Sequence, residues 1–147
     1  MRRFFPLLAG LLLACHQPDL ALGHKFQLPK NSELTLISSA QVWPSGIRSI
    51  GGIEYTIATD SNERVVFIST NSARFQTPEG LSTNSTLEQA QRMGGQNLVY
   101  EGGWQYYTCL PSGWCAAFYG IDQKGGSIQV RNPPTNSTKI QFFFKRE

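Results

Sequence analysis

Three cysteines, two histidines and ten acidic residues are the groups in this 147-residue chain best suited to chemistry. Their spacing restricts what they can do. His16 and His24 are the only imidazoles, and both lie near the N-terminus. A Ser-His or Cys-His nucleophile therefore has no base in the body of the chain, and no Cys-x-x-Cys pair is spaced for a metal. A terminal-His copper site after Gly23 would lack its second histidine, since His16 would be lost. Glycine-rich phosphate loops are missing as well. Carboxylate catalysis needs two acids flanking one bond. Four of the acids have a structural use: Asp60 and Glu63 flank a turn, Glu88 completes a helix cap, and Glu54 is on the polar side of a strand. Glu79 and Glu101 have none, so a small carboxylate-dependent hydrolase, an unfavoured reading, would have to use them. The expectation is a protein that is not an enzyme, with no cofactor and no metal.

Cys109 and Cys115 lie in the most informative stretch, Tyr106-Tyr107-Thr108-Cys109-Leu110-Pro111-Ser112-Gly113-Trp114-Cys115-Ala116-Ala117-Phe118. Pro111-Ser112-Gly113 suits a three-residue hairpin loop, with proline at the first turn position and glycine at the left-handed one. Centring the turn on Ser112 pairs Leu110 with Trp114 and sets Cys109 opposite Cys115, within disulfide reach. This register places Trp104, Tyr106, Leu110, Trp114 and Phe118 on one face, taken as the core. Gln105, Tyr107, Cys109, Cys115 and Tyr119 fall on the other. A stiffened tip of Leu110, Pro111, Ser112, Gly113 and Trp114 is what a protein inserting a preorganised loop into a partner's cleft would need. The simpler alternative is a stapled turn with Trp114 facing inward.

The third cysteine sits behind a leader. Arg2-Arg3 precede the apolar run Phe4 to Ala14, too short to span a bilayer and proportioned like a signal sequence. Leu12-Leu13-Ala14-Cys15 resembles the bacterial lipobox, whose cysteine receives diacylglycerol before cleavage on its N-terminal side. The resemblance implies a signal peptide over 1–14, lipidation at Cys15 and a membrane-anchored protein. His16 follows Cys15 in place of the Asp that resembles an inner-membrane retention signal, which points to the outer membrane, facing the periplasm. The alternative is cleavage after Ala21-Leu22-Gly23, giving a secreted protein. Either cut removes one cysteine from an odd set and leaves Cys109 and Cys115 as a pair, as an oxidising compartment favours.

Charge adds little. The net charge of +3 includes Arg2 and Arg3; without them eleven basic residues face ten acidic ones, scattered along the chain, so no nucleic-acid footprint remains. Trp43, Trp104, Tyr106, Tyr107 and Tyr119 could serve as stacking platforms for peptidoglycan sugars, although aromatics at strand spacing are more often core. Asn84-Ser85-Thr86 and Asn136-Ser137-Thr138 fit the N-glycosylation pattern and are chance matches in a bacterial lipoprotein.

The elements that must position these residues are mostly strands. Residues 15–32 hold two prolines and a glycine without periodicity and read as a tether; 33–147 then form a single domain. Strands are expected at Leu34–Ile37, Ile53–Ile57, Val65–Ile68, Leu98–Tyr100, Trp104–Leu110, Trp114–Tyr119 and Ile140–Phe144, with an irregular stretch around Trp43-Pro44-Ser45-Gly46. One helix runs from Thr86 to about Met93, with Ser85 and Glu88 as its capping box, Gly94-Gly95 as its stop, and Leu87, Ala90 and Met93 on its buried stripe. The expected fold is α+β: an antiparallel sheet of about five to seven short strands with one short helix packed on it. Phe75-Gln76-Thr77-Pro78-Glu79-Gly80-Leu81, the turn Ser82 to Ser85, and the helix with Leu87 and Glu88 resemble the turn-and-helix unit of small envelope lipoproteins of the BamE/SmpA kind. The glycine near Asn84 and the second helix of that family are missing, so its role in outer-membrane assembly is not carried over. The expected function is a non-enzymatic, periplasm-facing binding or accessory lipoprotein, partnered by the membrane and an envelope protein, with peptidoglycan as a further candidate. The alternative is an inhibitor or immunity protein that inserts loop 110–114 into a periplasmic hydrolase.

Overall fold

A computed structural model of the chain describes residues 20–118 and 133–147. Eight strands form one antiparallel sheet: β1 (Glu33–Ser38), β2 (Gln41–Ile50), β3 (Ile53–Thr59), β4 (Val65–Thr70), β5 (Val99–Glu101), β6 (Gln105–Cys109), β7 (Cys115–Phe118) and β8 (Phe142–Arg146). Their order is β1-β2-β3-β4-β8-β7-β6-β5. Two four-stranded meanders are thus joined where β4 pairs with β8.

The expected α+β class is overturned. Across the described residues the fold is β, a curled half-barrel sheet of eight strands instead of five to seven. Its helix α1 (Leu87–Arg92) is a six-residue piece of the long connection from β4 to β5. The capping box is also one residue later than expected: Thr86 is the N-cap and exchanges hydrogen bonds with Gln89, while Glu88 pairs with Arg92 on the surface. Leu87 and Ala90 are buried, but Met93, expected on the same stripe, is 46 % exposed. Six helical residues are too few to bring a third one round to the sheet. The stop is as expected, with the Gly95 N–H closing back onto the Ala90 carbonyl.

The added strand is β2. Pro44 and Gly46 break its alternation in the sequence, yet the whole segment is paired, Pro44 with Leu34 and Gly46 with Ile57. The β3–β4 hairpin is as expected, its turn tied by the Asp60 carboxylate accepting from the Asn62 and Arg64 N–H groups.

Both faces of the sheet are covered. On the convex face the β4–β5 connection lays Phe75, Leu81, Leu87 and Ala90 over Leu110, Ala116, Phe118 and Phe143. Beside them Leu20, Leu22 and Phe26 pack on Ile57, Val65 and Ile68. The concave face curls until Ile37 of β1 joins Ala58, Phe67, Cys115, Ala117 and Phe144 in a second core, together with Trp104. One-sided burial of the β6–β7 hairpin, as the sequence suggested, is therefore incomplete. Cys115 and Ala117 are buried as well as Ala116 and Phe118. Trp104 also changes sides, because it precedes β6, after the turn at Gly102-Gly103, and packs with the concave set.

Candidate functional site

The concave face is not filled completely. Between β1–β2 and the start of β6 it leaves a cleft of about 570 Å³, walled by Phe67, Trp104 and Phe142 and by the polar residues Thr56, Ser69 and Gln105 among others. Strand alternation places these residues. Thr56 pairs with Ser69 across β3 and β4, so both present side chains to the same face. Gln105 opens β6 opposite Glu101, on the face shared with Tyr107 and Cys109. Glu54 is the one charged residue of the lining among the described residues, and it is exposed.

Gln105 is the unusual member. It is 1 % exposed, and its Nε2 has no hydrogen-bond partner among the described residues. A buried donor left unpaired costs a fold about 1–3 kcal/mol. Its neighbours are well satisfied. Thr35 and Ser45 share a hydroxyl hydrogen bond, and the Thr70 hydroxyl donates to the Glu54 carbonyl.

A clamp lies against Trp104, one wall of the cleft. Arg146 donates to the Ile37 carbonyl at 3.1 Å, to Glu101 Oε2 at 2.7 Å and to the Tyr107 hydroxyl at 3.0 Å. Its guanidinium also lies over the rings of Trp104, Tyr107 and Phe144. The other Glu101 oxygen accepts from the Ser39 N–H at 2.8 Å, which ties the β1–β2 turn to β5. The two edges of the sheet are held together there by side chains in place of a backbone ladder. Burial pushes the Glu101 carboxyl up, but the Arg146 and Ser39 donors outweigh it and hold the pKa below the ordinary carboxylate range.

No family model, no curated protein and no solved structure matches the chain. Nothing beyond its own residues thus bears on the likeness of Phe75–Glu88 to BamE/SmpA lipoproteins, and the geometry has to supply the function.

Cys109 and Cys115 form the disulfide expected from the hairpin register, with Cα atoms 3.9 Å apart. The loop between them is built as the sequence indicated: Leu110 N–H donates to the Trp114 carbonyl, and Gly113 takes φ +83°, where a side chain would be strained. Its tip lies on the domain. Leu110 is buried, Trp114 packs on Phe75 at 4.7 Å under the Lys145 ammonium, and both the N–H and the hydroxyl of Ser112 donate to the Glu79 carboxylate. Pro111 and Gly113 alone remain exposed at the tip. Burial pushes Glu79 up, yet the Ser112 hydrogen bonds, with those from Thr77 and its own backbone, leave its pKa lowered.

Glu79 and Glu101, the two acids without a sequence role, are therefore each occupied, one on each face of the sheet. Among the stacking candidates, Trp104 is a buried wall of the cleft, Trp43 and Tyr107 are half-buried beside it, and Tyr106 stacks on Tyr100 across the convex side. Cys15 and Tyr119 lie outside the described residues. No group of three metal-ligating side chains occurs among the described residues.

Part of the stretch read as a tether packs on the domain. Gly23 and Phe26 N–H groups donate to the Val65 and Glu63 carbonyls, and Val65 N–H donates to the His24 carbonyl. Pro29 then covers Gly46, where a Cβ would meet the proline ring at 2.7 Å. The sequence hides this because Leu20, Leu22 and Phe26 share strand parity only across Gly23 and the polar pair His24-Lys25, which interrupt the run.

Proposed function

We propose that the chain is an exported, non-enzymatic binding module of a bacterial envelope, lipid-anchored through Cys15 and held at the outer membrane facing the periplasm. The observation that carries the anchor is the packing of Leu20, Leu22 and Phe26 on Ile57, Val65 and Ile68. Maturation at Cys15 leaves this segment whole. Cleavage after Gly23 would strip Leu20 and Leu22 from their cluster and remove the Gly23 N–H from the Val65 carbonyl. The Cys109–Cys115 bridge supports export to an oxidising compartment.

Binding is supported by the cleft, which pairs apolar walls with a few polar groups, the usual make-up of a small-molecule site, and by the unpaired Gln105 donor. Loop 110–114 is less suited to insertion into a hydrolase, because its exposed part is two residues and a standard interface takes about 800 Å² per partner. The test is the intact mass of protein extracted from membranes, beside Cys15→Ala. The expected result is a mass increment of acyl chains that the variant loses, and a soluble wild-type form beginning at His24 would overturn the anchor.

A further inference from the structure

Gln105 is placed for a ligand. It lines the concave cleft, and its buried Nε2 has no acceptor among the described residues. A carboxamide in a core position is expected to find partners or to be replaced by an apolar side chain. An acceptor entering the cleft would complete it.

The remaining lining defines that acceptor's carrier. Among the described residues of the lining the one charged side chain is Glu54 at the rim, so an anion finds no counter-charge among them and meets a like charge on entry. Thr56, Ser69 and Gln105 supply hydroxyl and amide groups that both donate and accept, while Phe67 and Trp104 present apolar surface. A ligand matching this has hydroxyls on its edges, C–H groups on its faces and a carbonyl to reach Gln105. From these features we infer that the cleft binds a neutral acetamido sugar of one or two rings, its acetamido carbonyl accepting from Gln105 Nε2 and its hydroxyls donating to Glu54. The assignment rests on the reading of the chain as a binding module and names that module's ligand class.

Isothermal titration of the full chain, in a detergent without a sugar headgroup, tests it with three probes. They are N,N′-diacetylchitobiose, the N-acetylglucosaminyl-N-acetylmuramic acid disaccharide and cellobiose. Diacetylchitobiose is expected to bind saturably, with cellobiose about tenfold weaker for want of the acetamido carbonyl. The muramic disaccharide carries a lactyl carboxylate and is expected to bind more weakly than diacetylchitobiose, while tighter binding would overturn the choice of a neutral sugar. Gln105→Met keeps the volume and removes the donor, so it should weaken binding about tenfold or more while the melting temperature rises. Glu54→Ala, on the exposed rim, gives a second reading that does not disturb the core and should cost about threefold. Cellobiose binding as well as diacetylchitobiose, Gln105→Met binding like wild type, or a cooperatively melting wild-type chain that binds neither acetamido disaccharide would overturn the assignment. Failure here leaves the acyl-mass result untouched, and failure of the mass test leaves the titration standing.

Discussion

Arg146 and Glu101 form a pair that is about one-fifth exposed, 22 % and 19 %, and the arginine has three aromatic neighbours. Removing one partner of such a pair leaves the other poorly solvated, and Arg146→Ala is expected to cost about 2–3 kcal/mol by urea unfolding. Arg146→Lys should recover less than half of that, since an ammonium cannot reach the Ile37 carbonyl, Glu101 and Tyr107 together. Full recovery by lysine would show that charge alone matters. Glu101 and Glu79 both have carboxyl pKa values lowered by folding. Their stabilisation is therefore fully present above the ordinary glutamate pKa of about 4.3 and is lost as pH falls through the lower folded values. Melting temperature should be flat from about pH 5 to 7 and fall below about pH 4, with Glu101→Gln flattening part of the acid limb. Neither role was readable in the sequence. Glu101 meets Ser39 and Arg146 across 62 and 45 residues, and Glu79 meets Ser112 across 33. No local pattern encodes contacts that long.

The β6–β7 hairpin was the most legible element, because a proline, a glycine and two cysteines fix turn type, register and bridge within a few residues. Reducing the bridge is expected to cost about 2 kcal/mol, since a short loop removes little chain entropy. A much larger loss on thiol treatment would mean that the bridge also holds Trp114 against Phe75. Strand β2 was illegible for the opposite reason: Pro44 and Gly46 are strand-breaking signals that tertiary pairing overrides. The packed segment at residues 20–26 is a similar case, since its burial depends on an apolar strip on β3 and β4. A chain beginning at His24 loses Leu20 and Leu22 and should unfold about 2–4 kcal/mol more easily. Equal urea midpoints for the two forms would show that this packing contributes nothing.

The whole molecule departs furthest from the α+β expectation. Seven of the eight strands had some trace in the alternation of the sequence, but their number and the small share of helix did not fix how the sheet closes. Pairing of β4 with β8 brings Phe67 opposite Arg146 and is what makes one curled sheet of two meanders. That curl creates the concave core and leaves the cleft, so the candidate site arises from topology and not from any motif. The docking of Leu20 and Phe26 on the convex face has one more consequence. With lipid on Cys15, the leash is the five residues 15–19, at most about 18 Å when fully extended. In a chain anchored as proposed, so short a leash would be comparable to the radius of gyration of a domain this size, about 13 Å, and would restrict tumbling above the bilayer. The convex side, where Leu20 docks, would be reined toward the lipid headgroups, with the cleft on the opposite face of the sheet.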